Sequence, residues 1–345
     1  MKELKLYSNE IVFRGHPDKC CDQISDAILD ACLKEDKNSR CGIEVVGGKG
    51  IVFITGEVTT NAKIDVVKIA KRVLKDVGYS DEYEIIDNLG KQSADIALGT
   101  NDEVGGAGDN GMMFGFACDD TEELLPTAMV ILQKLSMAYD DLRIKDSRFL
   151  ADGKAQITGY YDEHMKLKKI KAFTICYQNT EIKRSETDQI LKDIATKICN
   201  QYKVKIEKFL INPTGKFLIG GFAGDSGLTG RKIVVDTYHS FAKVGGGAFS
   251  GKDPTKVDRS AAYKAREIAK EILIKDKLSW VEVQLSYAIG IAEPLAIHIE
   301  SNKGNYKIAK DDKFYEECKP QNIIRDLALK NKCFEETARF GHFKD

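Results

Sequence analysis

Three stretches of this chain show the same coarse order of secondary structure: two strands, a helix and, in the first two stretches, a further strand. They lie within residues 41–87, 155–212 and 280–330. Alternating apolar residues predict the strands, and apolar residues spaced by about 3.6 positions predict the helices. A hairpin turn is expected at Gly47–Gly48. The pattern predicts an α+β fold of three similar domains of mostly antiparallel sheet plus helices.

The size and charge of the chain limit the number of domains it can form and the kinds of partner it can bind. Its 345 residues exceed what one small core needs and predict two or three domains. Lys and Arg total 52 against 53 Asp and Glu, so the net charge of −1 favours binding neither to nucleic acid nor to a membrane. The nine cysteines show no metal-binding spacing, and we expect reduced thiols that serve as small core residues in a cytoplasmic protein.

A helix is predicted over residues 16–33, because Pro17 suits a first helical position and apolar residues follow on one face. Aspartates recur at intervals of four on another face: Asp18, Asp22, Asp26 and Asp30. Such an acidic stripe is typical of a solvent-exposed face. Asp18 is the exception, because it opens the helix beside His16.

The segment at residues 245–266, GGGAFSGKDPTKVDRSAAYKAR, resembles a Walker A phosphate loop without completing it. Its G-x-x-x-x-G-K is followed by Asp253, where that loop requires a metal-binding Ser or Thr. Asp253 and Pro254 are expected to cap and begin a helix. The cations expected on one side of this helix start are Lys252, Lys256 and Arg259. Two interpretations stay open here: a phosphate site of another design, or an ordinary capped helix with exposed lysines.

A second glycine-rich loop lies within residues 215–238 and carries six glycines. Arg231 and Lys232 follow it, just before a run that predicts a buried strand. Either loop alone could simply turn tightly. Two such loops that end in cations predict a polyphosphate site, which needs several cations and a divalent metal. Carboxylates beside glycine-rich turns or strand ends are Asp18, Glu44, Glu57, Asp109 and Asp225.

The loop at residues 95–111 is long, rich in glycine and polar residues, and without a clear period. A loop of this kind in a compact protein is usually functional, and we expect an active-site lid. The motifs of serine hydrolases and zinc proteases are missing, and the five histidines support no catalytic triad. The residues therefore favour a reaction that needs neither a covalent nucleophile nor a strong base.

Seven motifs make the prediction specific, and they occur in order over nearly the whole chain. They are GHPDK at 15–19, GEVTT at 56–60, GKQSADI at 90–96, GAGDNGMMFGFA at 106–117, INPTGKFLIGG at 211–221, GDSGLTGRKIVVDTY at 224–238 and GGGAFSGKDPTKVDRSAAY at 245–263. Together they resemble the S-adenosylmethionine synthetase (methionine adenosyltransferase) family. By this resemblance the segment at 245–266 is a phosphate-binding loop, but not a Walker A loop.

The resemblance implies an architecture and a reaction. The architecture is three similar domains around a pseudo-threefold axis, in a homodimer with shared active sites that can pair into a tetramer. In the reaction the sulfur of L-methionine attacks C5′ of ATP in line to give S-adenosyl-L-methionine, and the expelled triphosphate is hydrolysed to pyrophosphate and phosphate. The implied metals are Mg²⁺, at about two ions per site, and K⁺. A thioether is a neutral nucleophile, so the reaction needs no general base.

The same resemblance gives roles to individual residues. The implied catalytic set is His16, which lies beside the leaving oxygen, with Lys154, Arg231, Lys232 and Lys252. The implied ATP-binding positions are His16, Asp152, Lys154, Lys216, Phe217, Asp225, Arg231, Lys232, Ala248 and Lys252. The implied methionine contacts are Glu57, Gln92, Asp225 and Lys256. Asp18 resembles a Mg²⁺ ligand and Glu44 the K⁺ ligand, while Asp109 and Asp258 match supporting positions. Arg231 is assigned to hydrolysis of the triphosphate.

The expected domains span residues 1–98, 104–219 and 220–345, with the chain crossing between them. The sequence departs from the usual family pattern in several ways: Phe13–Arg14 replace Ser-Glu, Val244 replaces His, and His239–Ser240 replace Gly-Gly, and both the expected lid and the C-terminus are shorter than usual. None of these positions carries an assigned role. The alternatives to an active synthetase are a non-catalytic paralogue that binds nucleotide or S-adenosylmethionine, and an ATP-dependent phosphotransferase.

Overall fold

The structure is a computed structural model that describes residues 4–79, 83–91, 105–181 and 183–344. Its strands are β1 (Lys5–Val12), β2 (Arg40–Gly48), β3 (Ile51–Thr59), β4 (Glu84–Gly90), β5 (Gly111–Cys118), β6 (Phe149–Tyr161), β7 (Leu167–Asn179), β8 (Lys205–Ile206), β9 (Phe209–Ile211), β10 (Gly227–Leu228), β11 (Trp280–Tyr287), β12 (Ala296–Ser301) and β13 (Gly304–Asn305). Its α-helices are α1 (Pro17–Glu35), α2 (Val66–Val77), α3 (Thr127–Lys145), α4 (Ser185–Gln201), α5 (Gly221–Gly224), α6 (Ile233–Asp236), α7 (Val257–Asp276), α8 (Lys313–Glu317), α9 (Pro320–Asp326) and α10 (Thr337–Phe340). A 3₁₀-helix covers Leu329–Asn331.

The strands form three sheets, and each sheet joins strands from distant parts of the sequence. The first sheet has the order β1–β6–β7–β8, with β9 also paired to β7; the second is β10–β2–β3–β4; the third is β13–β12–β11–β5. The pairs β3–β4, β7–β8 and β7–β9 are parallel, and the other pairs are antiparallel. The prediction of an α+β fold with mostly antiparallel sheets is therefore confirmed.

The hairpin between β2 and β3 turns at Lys49–Gly50, so the prediction of a turn at Gly47–Gly48 was wrong. The two predicted glycines lie within β2 and are paired with β3. Lys49 and Gly50 take φ angles of 50° and 89°. Positive φ at both central residues is what a tight two-residue hairpin turn requires. Gly47 also pairs with Gly227 of β10, and this neighbouring strand extends β2 beyond the predicted end.

The helix after the 245–256 loop, α7, begins at Val257 and not at Pro254 as predicted. Asp253 does not cap a helix. Its buried carboxylate accepts hydrogen bonds from the amide of Thr255 at 2.9 Å and from the amide of Cys41 at 2.7 Å. These bonds tie the turn to the start of β2, so the carboxylate is used for tertiary contact instead of capping.

The buried strand predicted after Lys232 is also wrong, because these residues form the short helix α6. The amide of Asp236 donates to the carbonyl of Lys232 at 2.8 Å, which closes a helical turn. A run of four apolar and charged residues is too short to separate a strand from a helix by periodicity.

Two apolar cores hold the sheets. The larger core packs α1, α2 and α7 against the second and third sheets, and the other packs α3 and α4 against the first sheet. All nine cysteines are free thiols and seven are buried, as predicted for core residues. Within the described ranges, none of the helices has both the length and the apolar character that spanning a bilayer requires.

Candidate active site

Three of the four aspartates in the acidic stripe of α1 are buried, which corrects the prediction that the stripe faces solvent. Asp18, Asp22 and Asp26 are each at most 1% exposed. Each aspartate accepts from a backbone amide far along the chain: Asp18 from Leu228 at 3.0 Å, Asp22 from Gly230 at 2.9 Å, Asp26 from Gly251 at 2.8 Å and Asp30 from Phe334 at 2.9 Å. The stripe therefore anchors both glycine-rich loops and a C-terminal segment to one helix. A pattern of charges within α1 cannot reveal partners about 200 residues away.

Asp18 holds the two cations of the glycine-rich loop at 215–238 side by side. Its Oδ1 accepts from Arg231 Nε at 2.9 Å, and its Oδ2 accepts from Lys232 Nζ at 2.5 Å. Burial alone would raise the pKa of Asp18, but the hydrogen bonds from Lys232 and Leu228 hold that pKa below its usual value. Asp18 is therefore ionised at neutral pH, and it fixes both cationic groups before any ligand arrives.

The pairing of Asp18 with Arg231 and Lys232 is possible because the backbone of β10 approaches the first turn of α1 closely. A Cβ atom on Gly227 would lie 2.3 Å from the carbonyl oxygen of Pro17, a separation that only glycine permits. The strand β10 can therefore pass directly against the first turn of α1. This brings the amide of Leu228 and the following cations within reach of Asp18.

His16 caps α1 with its side chain. Its Nδ1 accepts from the amide of Asp18 at 3.2 Å. Burial, aided by the charge of Lys232, lowers the pKa of His16 to about 4. The neutral ring therefore carries its proton on Nε2, because Nδ1 is used as an acceptor. His16 can donate one hydrogen bond, and it is not a strong base.

The start of β6 completes what we call the first cluster. Asp152 Oδ2 accepts from the amide of Gly221 at 2.8 Å, and burial raises the pKa of Asp152 to about 6. The charges of Lys154 and Asp225 act on both Asp152 and His16, so these side chains share one site. The first cluster contains His16, Asp18, Asp152, Lys154, Asp225, Arg231 and Lys232.

A buried ion-pair network supports the first cluster, and the sequence analysis missed it. Lys19 Nζ donates to Asp22 at 3.3 Å and to Asp236 at 2.6 Å. Burial, together with the charge of Asp22, raises the pKa of Asp236 to about 7 against the opposing effect of Lys19. The network joins α1 to α6, which directly follows Lys232. The signal in the sequence that could have revealed this network is the presence of charged residues within apolar runs.

What we call the second cluster surrounds the start of α7. Lys252 Nζ donates to Asp258, and Lys256 Nζ donates to Asp253 at 3.2 Å. Arg259 departs from the predicted row of cations, because its fully buried guanidinium pairs with Asp26 in α1; its Nη1 also donates to the carbonyl of Lys252 at 3.2 Å. The second cluster contains Lys252, Asp253, Lys256 and Asp258.

Two contacts relate further predicted residues to these clusters. A Cβ atom on Gly230 would lie 2.4 Å from Cβ of Ala248, so Ala248 packs beside the first cluster. In the second sheet Gly42 pairs with Glu57 on one side and bridges to Lys252 on the other. Across the described part of the chain, no salt bridge joins the first cluster to the second.

The structure brings the loop of Asp109 next to the second cluster, because a Cβ atom on Gly108 would lie 3.3 Å from the side chain of Lys256. It brings the other remaining predicted residues into neither cluster. Glu44 is exposed on β2, Asp109 and Lys216 are exposed in loops, and Phe217 is half-buried in the loop before α5. Gln92 lies outside the described residues, as does most of the predicted lid. Among the described residues no group of three or more His, Cys, Asp or Glu side chains could hold a metal ion by itself.

The position where the chain departs from Gly-Gly is strained. His239 and Ser240 take φ angles of 50° and 70°, which are left-handed conformations that favour glycine. The backbone is held there by hydrogen bonds from Asn9 Nδ2 to the His239 carbonyl at 2.9 Å and from the Tyr7 hydroxyl to the Ser240 carbonyl at 2.7 Å. The His239 ring is buried against the backbone of Val235.

His239 should make stability depend on acidity. Burial lowers the pKa of His239 to about 3, although the nearby Val235 carbonyl opposes the shift. In the unfolded chain a histidine titrates near about 6.5, so the unfolded state binds the proton first as pH falls and stability drops. The loss attributable to this ring between pH 7 and pH 5 is about 2 kcal/mol. Urea unfolding at both values should show His239→Gly losing less stability than the parent by that amount.

The matched control for this pH effect is His164→Gly. His164 is exposed in the turn between β6 and β7, so its removal should leave the pH dependence of unfolding unchanged. An identical pH dependence in the parent and in His239→Gly would contradict the burial of a neutral ring at position 239.

The fold and the first cluster together define a class: a three-sheet α+β protein in which a buried carboxylate fixes two cationic groups side by side. Models of three S-adenosylmethionine synthetase domains match the chain: the N-terminal domain at residues 4–96, the central domain at 104–217 and the C-terminal domain at 219–345. The chain belongs to the S-adenosylmethionine synthetase family. The resemblance carried by its seven motifs is confirmed.

Proposed function

We propose that this protein makes S-adenosyl-L-methionine from ATP and L-methionine by in-line attack of sulfur on C5′, followed by hydrolysis of the triphosphate. Family membership supports S-adenosylmethionine synthesis in general. One observation supports this particular mechanism. Buried Asp18 holds Arg231 and Lys232 in place, next to a neutral His16. Such a site stabilises a leaving polyanion, and its histidine is not a strong base.

The chemistry fits this arrangement. The sulfur of methionine already carries a lone pair, so the protein has to align it with C5′ and to accept negative charge on the leaving oxygen. The Nε2 proton of His16 supplies one hydrogen bond to that oxygen. Arg231, Lys232 and Lys154 offset the charge of the triphosphate, and Arg231 also acts in its hydrolysis. Because Asp18 holds two of these cations in place, little reorganisation is needed during the reaction.

The remaining assignments are proposals of the same kind. ATP would contact the first cluster with Lys216, Phe217, Ala248 and Lys252. Methionine would contact Glu57, Gln92, Asp225 and Lys256. Glu57 and Lys252 lie on either side of Gly42. This arrangement supports the placement of methionine beside Lys252.

The residues fit Mg²⁺ only together with substrate. Mg²⁺ accepts one or two carboxylates and completes its shell with phosphate oxygens and water. Asp18 is ionised but already accepts from two cations, and Asp258 is paired with Lys252. We propose that Asp18, Asp258 and Asp109 hold Mg²⁺ once the triphosphate is present, and that Glu44 contributes to K⁺ binding. The metal would neutralise charge on the phosphate oxygens.

We propose a homodimer with active sites shared between subunits, which can pair into a tetramer. An apolar row crosses the four strands of the second sheet: Leu228, Val46, Phe53 and Ile86 are register partners. Val46 is 42% and Ile86 38% exposed, which is a large exposure for side chains of this type. A second copy of the chain would cover this row. Each site would then combine the first cluster of one subunit with the second cluster of the other.

Shared sites predict recovery of activity when two inactive variants are mixed. Lys232→Met damages the first cluster and Lys252→Ala damages the second. In a mixed dimer one site would carry both changes and the other none. After unfolding and refolding the variants together, about a quarter of the parent activity should return, since half of the dimers are mixed. Activity no higher than that of the separate variants would show that each site is built within one chain.

The test of the reaction is a product assay. The protein is incubated with ATP, methionine, Mg²⁺ and K⁺, with one control lacking methionine. Methionine-dependent formation of S-adenosylmethionine, pyrophosphate and phosphate is the expected result. ADP as the product would identify a phosphotransferase. Tight ATP binding without turnover would identify the non-catalytic paralogue.

A further inference from the structure

One buried ammonium holds both ends of the segment that carries two cations of the first cluster. Lys19 Nζ donates to Asp236 Oδ2 at 2.6 Å and to Asp22 Oδ2 at 3.3 Å. The other oxygen of Asp22, Oδ1, accepts from the amide of Gly230 at 2.9 Å. Residues 230 and 236 are therefore both tied to Lys19. The two cations that contact Asp18 lie between these anchors.

This network contains more buried charge than a simple ion pair requires. Lys19 and Asp22 are each 1% exposed and Asp236 is 5% exposed, so one ammonium faces two carboxylates away from water. One carboxylate would already neutralise the ammonium, and each further buried charge is unfavourable unless it is satisfied. The second carboxylate is explained if both ends of the segment have to be fixed.

Arg231 depends on these anchors more than Lys232 does. The side chain of Arg231 is 47% exposed and that of Lys232 is 20% exposed, although both contact Asp18. A half-exposed guanidinium has many accessible conformations, so the position of its backbone decides where its charge lies. The amide that Asp22 anchors belongs to Gly230, which directly precedes Arg231.

We propose that Lys19, Asp22 and Asp236 are positioning residues that hold Arg231 in place for hydrolysis of the triphosphate. This role rests on the proposed function, which assigns Arg231 to that step. In the step, a water oxygen bonds to a terminal phosphorus and the bridging P–O bond breaks. The electron pair of the broken bond stays on the departing pyrophosphate, and a proton of the water passes to solvent. A fixed guanidinium stabilises the charge that develops on the bridging oxygen.

Two alanine variants remove one anchor each. Asp236→Ala and Asp22→Ala leave the ammonium paired with the other carboxylate, so no unpaired charge stays buried. The carbonyl of Asp236 also accepts from the amide of His342 at 2.8 Å, which keeps α6 attached in Asp236→Ala. Because the two variants act at opposite ends of the segment, either one tests the role if the other does not fold.

Two rates are measured for each variant: formation of S-adenosylmethionine, and hydrolysis of added inorganic triphosphate. We expect hydrolysis to fall about tenfold or more, the usual effect of losing one hydrogen bond to a charged group. Formation of S-adenosylmethionine should fall less, because Asp18 still holds Lys232. Intact triphosphate should then appear among the products made from ATP and methionine.

The ratio of intact triphosphate to pyrophosphate separates positioning from stability. An unfolded molecule forms neither product, so partial unfolding lowers both rates and leaves this ratio unchanged. The matched control is Val73→Ala, which removes a fully buried side chain from α2, a helix that carries no residue of either cluster. It should lose stability in urea and keep the ratio of the parent. Asp236→Asn retains an oxygen that accepts from Lys19, so its ratio should lie close to that of the parent.

The outcomes distinguish this inference from the proposed function. Folded alanine variants with the product ratio of the parent would overturn the inference alone. A change of ratio in Val73→Ala as large as in these variants would also overturn it, since the ratio would then report stability. A parent that makes no S-adenosylmethionine would contradict the proposed function. Slower hydrolysis of added triphosphate in both alanine variants would still uphold the anchors, and a parent that hydrolyses no triphosphate would overturn them.

Discussion

Replacing Lys232 by methionine should lower the rate of S-adenosylmethionine formation by about 10²–10³-fold, the usual effect of removing one preorganised group that stabilises developing charge. Lys232 Nζ lies 2.5 Å from Asp18, which fixes it next to His16. Methionine keeps much of the length of the side chain and removes only the charge and the donors. The measurement is the initial rate at saturating ATP and methionine, with product quantified by chromatography.

The matched control is Lys243→Met. Lys243 is exposed and paired with Glu282, and it belongs to neither cluster. The same chemical change at this position should leave the rate within about twofold, since Lys243 lies in neither cluster. Unfolding in urea should show both variants to be folded. A Lys232→Met protein with near-normal turnover would contradict the assignment of the first cluster as the triphosphate site.

The second large effect is on stability. Asp26→Ala should reduce the free energy of unfolding by about 3–5 kcal/mol, because it leaves a buried guanidinium without its counter-charge. Arg259 donates to Asp26 through Nη1 at 2.7 Å and Nη2 at 2.8 Å, and its side chain is 1% exposed. The change also removes the acceptor for the amide of Gly251, which holds the loop before Lys252. Urea unfolding measures the loss.

Two further variants test whether an unpaired buried charge causes the loss of stability in Asp26→Ala. Glu186→Gln breaks the ion pair between Arg148 and a 71% exposed glutamate, and we expect a loss below about 1 kcal/mol. Replacing both Asp26 and Arg259 by leucine should cost less than Asp26→Ala, because no unpaired charge stays buried. If the double variant proved the less stable of the two, the ion pair would be a net source of stability and the stated reason would be wrong.

Local sequence patterns predicted much of the fold. The helix that starts at Pro17 and the paired strands of the first two units follow from local periodicity, which acts over a few residues. The cations of both glycine-rich loops were also predicted. Their grouping was not, because Arg259 belongs to a buried pair while Lys252 and Lys256 stay near the surface.

The predictions from sequence were wrong at residues whose bonding partners lie far away along the chain. Asp22 and Asp26 repeat at helical spacing, and within α1 nothing distinguishes them from a solvated stripe. Asp253 precedes a proline and has the local signature of a helix cap, but its carboxylate instead bonds an amide of β2. In each case a local preference of about 1 kcal/mol gives way to a buried charge that must be satisfied.

The sequence by itself determined the family, the α+β class and the residue types available for polyanion binding, since motifs and periodicity are local properties. Only the tertiary structure decided that α1 anchors both loops through its aspartates and that His239 is buried in a left-handed backbone conformation. The physical reason is that burial and charge pairing arise between segments far apart in the chain. The side chain that satisfies a buried charge is chosen by packing and not by its neighbours in sequence.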